Sequence, residues 1–173
     1  LCDAMVGDTV KVIGPFGSSF LMPNHANSHI VMICTGTGSA PMRAMTEWRR
    51  RLVAKGAYEG GDLLLFFGAR SKAELPYFGP LQKLPASFIT THFALSREPD
   101  QPKTYVQDCM REQGDTLAKL IADPHAYFYV CGLKAMEDGV LAAMQDICKA
   151  HNIDWALTAA EMKRSGRLHL ETY

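Results

Sequence analysis

Apolar residues along this chain fall into short unbroken runs, separated by stretches in which they recur every three or four positions. The runs at residues 29–34, 63–68, 91–95, 127–131 and 168–172 are too short for typical helices and too continuous for strands with one wet face. They predict strands buried on both sides. Between them, residues 40–54 place Met42, Met45 and Leu52 on one side of a helix, with Glu47, Arg49 and Arg50 largely elsewhere and Pro41 in the first turn. Residues 134–150 repeat the pattern with Met136, Val140, Met144 and Ile147. The stretch 74–84 contains Gly79-Pro80 and predicts a short or broken helix. Residues 105–121 contain Gly114 and predict one helix or two. A last helix is predicted at 155–163, and residues 97–103, with two prolines, read as a surface loop. Strands alternating with helices predict an α/β fold, a parallel sheet covered on both faces.

Upstream the texture differs. Residues 9–13, Thr-Val-Lys-Val-Ile, alternate as a half-buried strand does, and the glycines and proline at 14–17 predict a turn after it. This strand reads as the tail of a preceding unit.

A length of 173 residues with 47% hydrophobic content suffices for one packed α/β core. The 18 basic and 18 acidic residues cancel, so there is no global positive field of the kind nucleic acid or an anionic membrane selects, and neither partner is expected. No apolar run is long enough to span a bilayer and no leader pattern appears, which predicts a cytoplasmic protein. The five cysteines, Cys2, Cys34, Cys109, Cys131 and Cys148, are odd in number, widely spaced and without a C-x-x-C pair, so they read as reduced thiols. The six histidines share no metal-ligand spacing, and no metal is expected. Arg49, Arg50, Arg51 and Lys55 form a basic helical patch, read as a solvated face or as a dock for an acidic electron carrier.

Two segments carry chemistry. The first strand runs into Thr35-Gly36-Thr37-Gly38-Ser39-Ala40-Pro41 and then a helix. Small residues there leave amide N–H groups free to face a pyrophosphate at a helix N-terminus, where the dipole also favours negative charge. A purely structural turn is the alternative reading of a lone G-x-G. Pro41 in place of a third glycine, and a second strand ending in Gly68-Ala69-Arg70 with no ribose-binding acid, argue against an ordinary Rossmann dehydrogenase. The second segment follows the third strand: Ser96-Arg97-Glu98-Pro99, then Lys103 and Tyr105. A hydroxyl and two cations at a strand's carboxyl end suit the extra phosphate that distinguishes NADP from NAD, and Tyr105 offers a ring for adenine. The plainer alternative is a solvated loop with incidental charges.

In these residues the chain resembles the plant-type ferredoxin–NADP⁺ reductase family along almost its whole length. The resemblance rests on Thr35 to Gly38 with Ala40-Pro41, Ser96-Arg97-Glu98, Lys103 with Tyr105, Tyr129-Val130-Cys131-Gly132-Leu133-Lys134, and the closing His169-Leu170-Glu171-Thr172-Tyr173. It implies a doubly wound five-stranded parallel sheet of order 3-2-1-4-5. It implies that the glycine loop binds pyrophosphate, that Ser96, Arg97, Lys103, Tyr105 and Gln107 hold the 2′-phosphate and adenine end, and that Gly132 and Leu133 lie beside the nicotinamide. Cys131 and Glu171 would flank the site of hydride transfer, and Tyr173 would stack on the flavin and swing aside for the nicotinamide. The cofactors implied are NADP(H) and FAD, the latter held mainly by an upstream barrel.

That barrel's Arg-x-Tyr-Ser motif and Cys-Ser loop are absent and the first residue is Leu1, so a fragment is expected, inactive alone. Residues 1–28 are assigned as the remnant of an FAD-binding barrel and 29–173 as the NADP-binding domain. Three positions depart from the family pattern: Cys34 for a glycine, Ser18 for a lysine near the nucleotide, and Ala69-Arg70 for an uncharged pair, with Arg70 able to replace the lost lysine. The expected partners are the FAD domain and an iron–sulfur or flavodoxin-like acceptor. Residues 38–45 and 169–173 look most like the reductase component of a benzoyl-CoA oxygenase (epoxidase) system, which would make the acceptor an oxygenase component. The alternatives are a nonenzymatic nucleotide-binding module and a flavin reductase that releases reduced flavin.

Overall fold

The computed structural model describes residues 3–14, 20–23, 25, 27–57, 60–76 and 78–173, the side chain of Phe78 excepted. Five strands, β1 (His29–Thr35), β2 (Leu63–Ala69), β3 (Thr90–Leu95), β4 (Ala126–Gly132) and β5 (Leu168–Thr172), form one parallel sheet in the order β3-β2-β1-β4-β5. All five lie within a residue of the predicted runs, and the order is the one the resemblance implied. β1 is central, and Ile30 to Cys34 are fully buried on both faces, which explains their unbroken apolar run.

Alternation along the strands divides the core in two. Val31, Ile33, Leu64, Phe66, Phe128 and Val130 face one side, where α3 (Val106–Glu112), α4 (Gly114–Ala122), α5 (Lys134–Ala150) and α6 (Trp155–Arg164) supply Met110, Leu117, Val140, Met144 and Met162. Ile30, Met32, Cys34, Leu65, Phe67 and Tyr129 face the other, against Met42 and Met45 of α1 (Ser39–Ala54) and the segment carrying α2 (Phe78–Gln82). The ambiguous stretch near Gly114 resolves into two helices. Gln113 ends α3, donating its N–H to the carbonyls of Cys109 and Met110, and precedes α4. α2 has only five residues, as Gly79-Pro80 predicted.

Two expectations fail. Residues 9–13 carry no sheet ladder, and Val10, Val12 and Ile13 are all exposed; alternation alone cannot make a strand where no neighbouring edge is available. The predicted turn at 14–17 and the position of Ser18 lie largely or wholly outside the described residues. Nor does Arg49 belong to a surface patch: it is 1% exposed. It follows Met42 by seven residues, two helical turns, so it shares the inner stripe rather than the outer face. Arg50 is paired with Glu47 at 2.8 Å, and the patch shrinks to Arg51 and Lys55.

Candidate nucleotide-binding site

The sheet's order reverses between β1 and β4: connections from β1 run toward β2 and β3, while β4 and β5 lie on the opposite side. Doubly wound folds form their ligand crevice at the carboxyl end of such a switch point. There, β1 ends at Thr35 and the chain makes a 3₁₀ turn, Gly36–Gly38, before α1. The turn is locked from within by Ser39 Oγ, which donates to the Gly36 carbonyl at 2.8 Å. Gly38 is pressed onto β4, and a Cβ there would lie 2.1 Å from the Cys131 carbonyl oxygen. Gly36 has φ +53° and nothing within 4 Å of the place a Cβ would occupy. One glycine is thus required by packing, while the other is left open by a backbone that only a side-chain-free residue adopts cheaply. No acidic residue occupies the first turn of α1 to oppose an anion.

Thr35 sits at the centre. A Cβ on Gly132 (φ +152°) would lie 2.5 Å from its Oγ1, and one on Gly68 would lie 2.8 Å from its Cγ2, so three strand ends converge on this side chain. Its Oγ1 is buried and has no hydrogen-bond partner among the described residues. An orphaned hydroxyl at a crevice between strand ends is what a polar ligand would satisfy.

On the β2–β3 side, the ladder continues past the strands. Ser96 N–H donates to the Ala69 carbonyl at 3.0 Å and Arg97 N–H to the Arg70 carbonyl at 2.7 Å, bringing Arg70 beside Arg97. Both side chains are exposed, and among the described residues neither guanidinium has a hydrogen-bond or ion-pair partner. The loop returns through Thr104, whose N–H donates to the Leu95 carbonyl, and this places Lys103 Nζ 4.9 Å above the ring of Tyr105. Tyr105 caps α3, its N–H donating to the Asp108 carboxylate at 2.9 Å, and leaves its ring half exposed. Glu98 does not face the cations alone. Its carboxylate accepts from the Lys72 N–H at 2.8 Å and so pins the loop after β2 to the loop after β3.

On the β4–β5 side, the register pairs Cys131 with both Cys34 and Glu171, and Gly132 with Thr172. Burial, reinforced by the Glu171 charge, pushes the Cys131 thiol pKa up, so the group is a neutral thiol near pH 7 rather than a nucleophile. Cys34 is a strand residue, fully buried, and its thiol is raised further by burial. Its departure from the family's glycine therefore falls in the core rather than in the loop. Tyr173 N–H donates to the Gly132 carbonyl at 3.0 Å, and its phenol meets the Thr37 hydroxyl at 2.6 Å.

A family model described as the oxidoreductase NAD-binding domain matches residues 32–142, well over half of the chain. The chain belongs to this family. It is also similar over its whole length to ferredoxin–NADP reductases: 36% identical to that of Spirulina sp., covering 61% of the relative, and 34% identical to the cyanelle enzyme of Cyanophora paradoxa, covering 49%. It is 33% identical to the ferredoxin–NADP reductase of Synechocystis sp., covering 43%. The chain spans about half the length of the curated relatives it matches.

Within this oxidoreductase domain, the sequence-predicted residues gather along one edge in three groups. Thr35, Gly36, Thr37, Gly38, Ala40 and Pro41 form the loop and the start of α1. Arg70, Ser96, Arg97, Lys103 and Tyr105 lie beyond β2 and β3. Cys131, Gly132, Leu133, Glu171 and Tyr173 lie beyond β4 and β5. Gln107 stands apart, since its side chain packs against Gly139 of α5, where a Cβ would lie 3.0 Å from its amide group. Sequence reasoning missed Glu137, a buried carboxylate in the first turn of α5 that accepts from Lys134 Nζ and Thr172 Oγ1. The only signal was an acid one turn into a helix, which is ordinarily a cap. The contact with β5 is tertiary.

Proposed function

We propose that this chain is the NADPH-binding half of an FAD-dependent reductase, residues 29–173 forming the nucleotide domain and residues 1–28 the end of an upstream flavin-binding barrel. The observation that carries the reading is the convergence on one sheet edge of an open glycine turn, two guanidiniums without a partner among the described residues, and the Cys131–Glu171–Tyr173 group. On this reading the 2′-phosphate goes to Arg97, Arg70, Ser96 and Lys103, adenine to Tyr105, pyrophosphate to Thr35 to Gly38, and nicotinamide to Gly132 and Leu133, while Gln107, packed on Gly139, is left out of the site.

When bound, the flavin would supply the redox chemistry, as acceptor of hydride from nicotinamide carbon 4 and source of single electrons for an iron–sulfur or flavodoxin-like acceptor. This chain positions the donor. The Thr35 hydroxyl, without a partner among the described residues and beside Gly132, could accept or donate at the nicotinamide end, and the neutral Cys131 thiol and the exposed Glu171 would crowd and polarise the ring. Hydride transfer needs no general base, and none is assigned. A groove between Phe20–Met22 and the α1 residues Pro41, Met45 and Trp48, with Leu21 and Trp48 exposed, supports contact with an upstream domain. Ferredoxin, named in the relatives, is the acceptor favoured by similarity; the motifs at 38–45 and 169–173 support an oxygenase component acting on benzoyl-CoA as the finer reading. Four buried free thiols fit the cytoplasm, and among the described residues no helix is long and apolar enough to cross a membrane.

The test is calorimetric titration of the chain and of an Arg97→Ala variant with NADP⁺ and NAD⁺ at fixed ionic strength. Tighter binding of NADP⁺ that the variant loses is expected. Equal binding of both nucleotides by the unaltered chain would remove the phosphate site from the reading. The acceptor is tested in the flavin-containing full-length protein, by comparing reduction of ferredoxin with turnover lacking any protein acceptor; the latter alone would favour release of free reduced flavin.

A further inference from the structure

Among the described residues, four hydrogen bonds beyond the β4–β5 ladder fasten Thr172 and Tyr173 to their surroundings. Two are main-chain: Tyr173 N–H to the Gly132 carbonyl at 3.0 Å and Lys134 N–H to the Tyr173 carbonyl at 3.1 Å. They clamp Tyr173's backbone onto the turn that leads from β4 into α5. The third is the phenol of Tyr173 on the Thr37 hydroxyl, 2.6 Å, the one hydrogen bond its side chain makes among the described residues. The fourth comes from outside the nucleotide groups. Glu137, 7% exposed, reaches from α5 to accept the Thr172 hydroxyl with one carboxylate oxygen while the other accepts Lys134 Nζ at 2.5 Å.

A helix-start carboxylate needs none of this. It could cap backbone N–H groups in solvent, as most do. Here it is desolvated, a state that is unfavourable unless its oxygens are satisfied, and it is satisfied by a hydroxyl from a different element. The bonds from Lys134 and Thr172 outweigh burial and hold its pKa below the ordinary carboxyl value, so it is ionised at neutral pH. An ionised acceptor makes the stronger kind of hydrogen bond, and Thr172 is the residue immediately before Tyr173.

We infer that Glu137 is a positioning residue for Tyr173: by fixing Thr172 to α5, it makes the end of β5 a rigid post from which the Tyr173 ring is held on Thr37. This rests on the nucleotide reading of the glycine loop. Any ligand that takes the Thr37 hydroxyl must displace the phenol. With the post intact, the displacement is a side-chain rotation against a ring already aimed at Thr37. Without the post, the ring is poorly aimed and competes less for Thr37. Glu137 touches neither Thr37 nor the Arg70–Arg97 cluster, so its effect is confined to ligands that reach the loop.

The experiment measures NADP⁺ and 2′-AMP binding by calorimetry, the second probe carrying only the phosphate and adenine end. It compares the unaltered chain with Glu137→Gln, Thr172→Val and Thr172→Ser, each also combined with Tyr173→Ser, and follows amide exchange of the Tyr173 N–H. Glu137→Gln and Thr172→Val are expected to tighten NADP⁺ by about threefold to tenfold, the worth of roughly one hydrogen bond. They should speed Tyr173 amide exchange and leave 2′-AMP binding within about twofold, a change of under half a kcal/mol. Thr172→Ser, which keeps the hydroxyl, should behave as the unaltered chain, and in the Tyr173→Ser background the gain should vanish. Unchanged NADP⁺ affinity in both single variants overturns the inference, as does an equal gain in the Tyr173→Ser background. Should Glu137→Gln fail to fold, Thr172→Val decides alone. A chain that binds neither probe removes the nucleotide reading and this inference with it; a chain that binds both, with variants indistinguishable from it, removes the inference only.

Discussion

The two edges of the sheet both carry arginines, and they use them in opposite ways. At the amino edge, Arg49 is buried and directs its guanidinium at main-chain carbonyls: Ser28 at 2.7 Å, Gly61 at 3.3 Å and Gly60 at 3.4 Å. Arg167, also buried, does the same for Asp123 at 2.7 Å and Ala126 at 3.2 Å. These are the carbonyls of the turns that lead into the strands, and each arginine gathers several of them. At the carboxyl edge, Arg70 and Arg97 are exposed, and no side chain or carbonyl among the described residues takes their donors. A guanidinium is difficult to bury because its donors must all be matched. Where main-chain carbonyls take most of them, the residue is part of the scaffold. Where it leaves them open beside a glycine turn, an anion from outside can supply the match.

If that contrast is right, exchanging the charge at each edge should damage different properties. The largest effect is expected from Arg49→Met, which keeps much of the apolar bulk but removes the donors to one buried and two part-buried carbonyls. At about 1–3 kcal/mol for each unsatisfied group, urea unfolding should show a loss of roughly 3 kcal/mol or more, with the preference between NADP⁺ and NAD⁺ unchanged. Gly38→Ala tests whether the carboxyl edge is also rigid. Its Cβ would collide with the main chain of Cys131, which cannot rotate away, so a loss near the top of the roughly 1–3 kcal/mol typical of overpacking is expected by the same method. Arg97→Ala should leave unfolding nearly untouched and weaken NADP⁺ by about tenfold to a hundredfold, the range for one charge-assisted hydrogen bond. A large stability loss in that variant would erase the distinction between the edges.

The smallest expected effect is a pH dependence away from the nucleotide edge. His151 bonds the Ile147 carbonyl through Nδ1 and the Asp115 carboxylate through Nε2, both at 2.9 Å, and these bonds raise its pKa above the usual 6.5. The protonated form is the one the fold favours. Its contribution is therefore complete below pH 6.5 and fades as the pH rises through the higher folded-state value. In His151→Gln, the decline of melting temperature with pH just above 6.5 should flatten, with no change in nucleotide affinity.

The positions of β1, β2 and β4 were legible because burial on both faces leaves a short unbroken apolar run, whereas the edge strands β3 and β5 are only partly buried, contrary to the expectation of two covered faces. The break at Gly114 and the short α2 were legible for local reasons, a flexible residue and a ring that removes a donor. The site's glycines could be found by their place between an apolar run and a helix, although their separate duties could not. That Gly38 abuts Cys131 and Gly36 faces open space depends on strands almost a hundred residues apart. The strand expected at 9–13 failed for the complementary reason, since alternation states what a strand would bury but provides no edge to pair with. Arg49 failed because its charge was weighed above its helical phase.

By itself, the sequence determined the places of five strands, the helices between them, a glycine turn suited to an anion and a cluster of donors after the third strand. These are encoded by neighbours along the chain, through periodicity, ring constraints and the freedom of glycine. Only the tertiary structure decided which cations are used up inside and which remain open, that the Thr35 hydroxyl lacks a partner among the described residues, and that Glu137 reaches Thr172. Each of these depends on what a side chain meets after the sheet has closed, and a buried polar group is stable or costly according to partners that the linear order does not name.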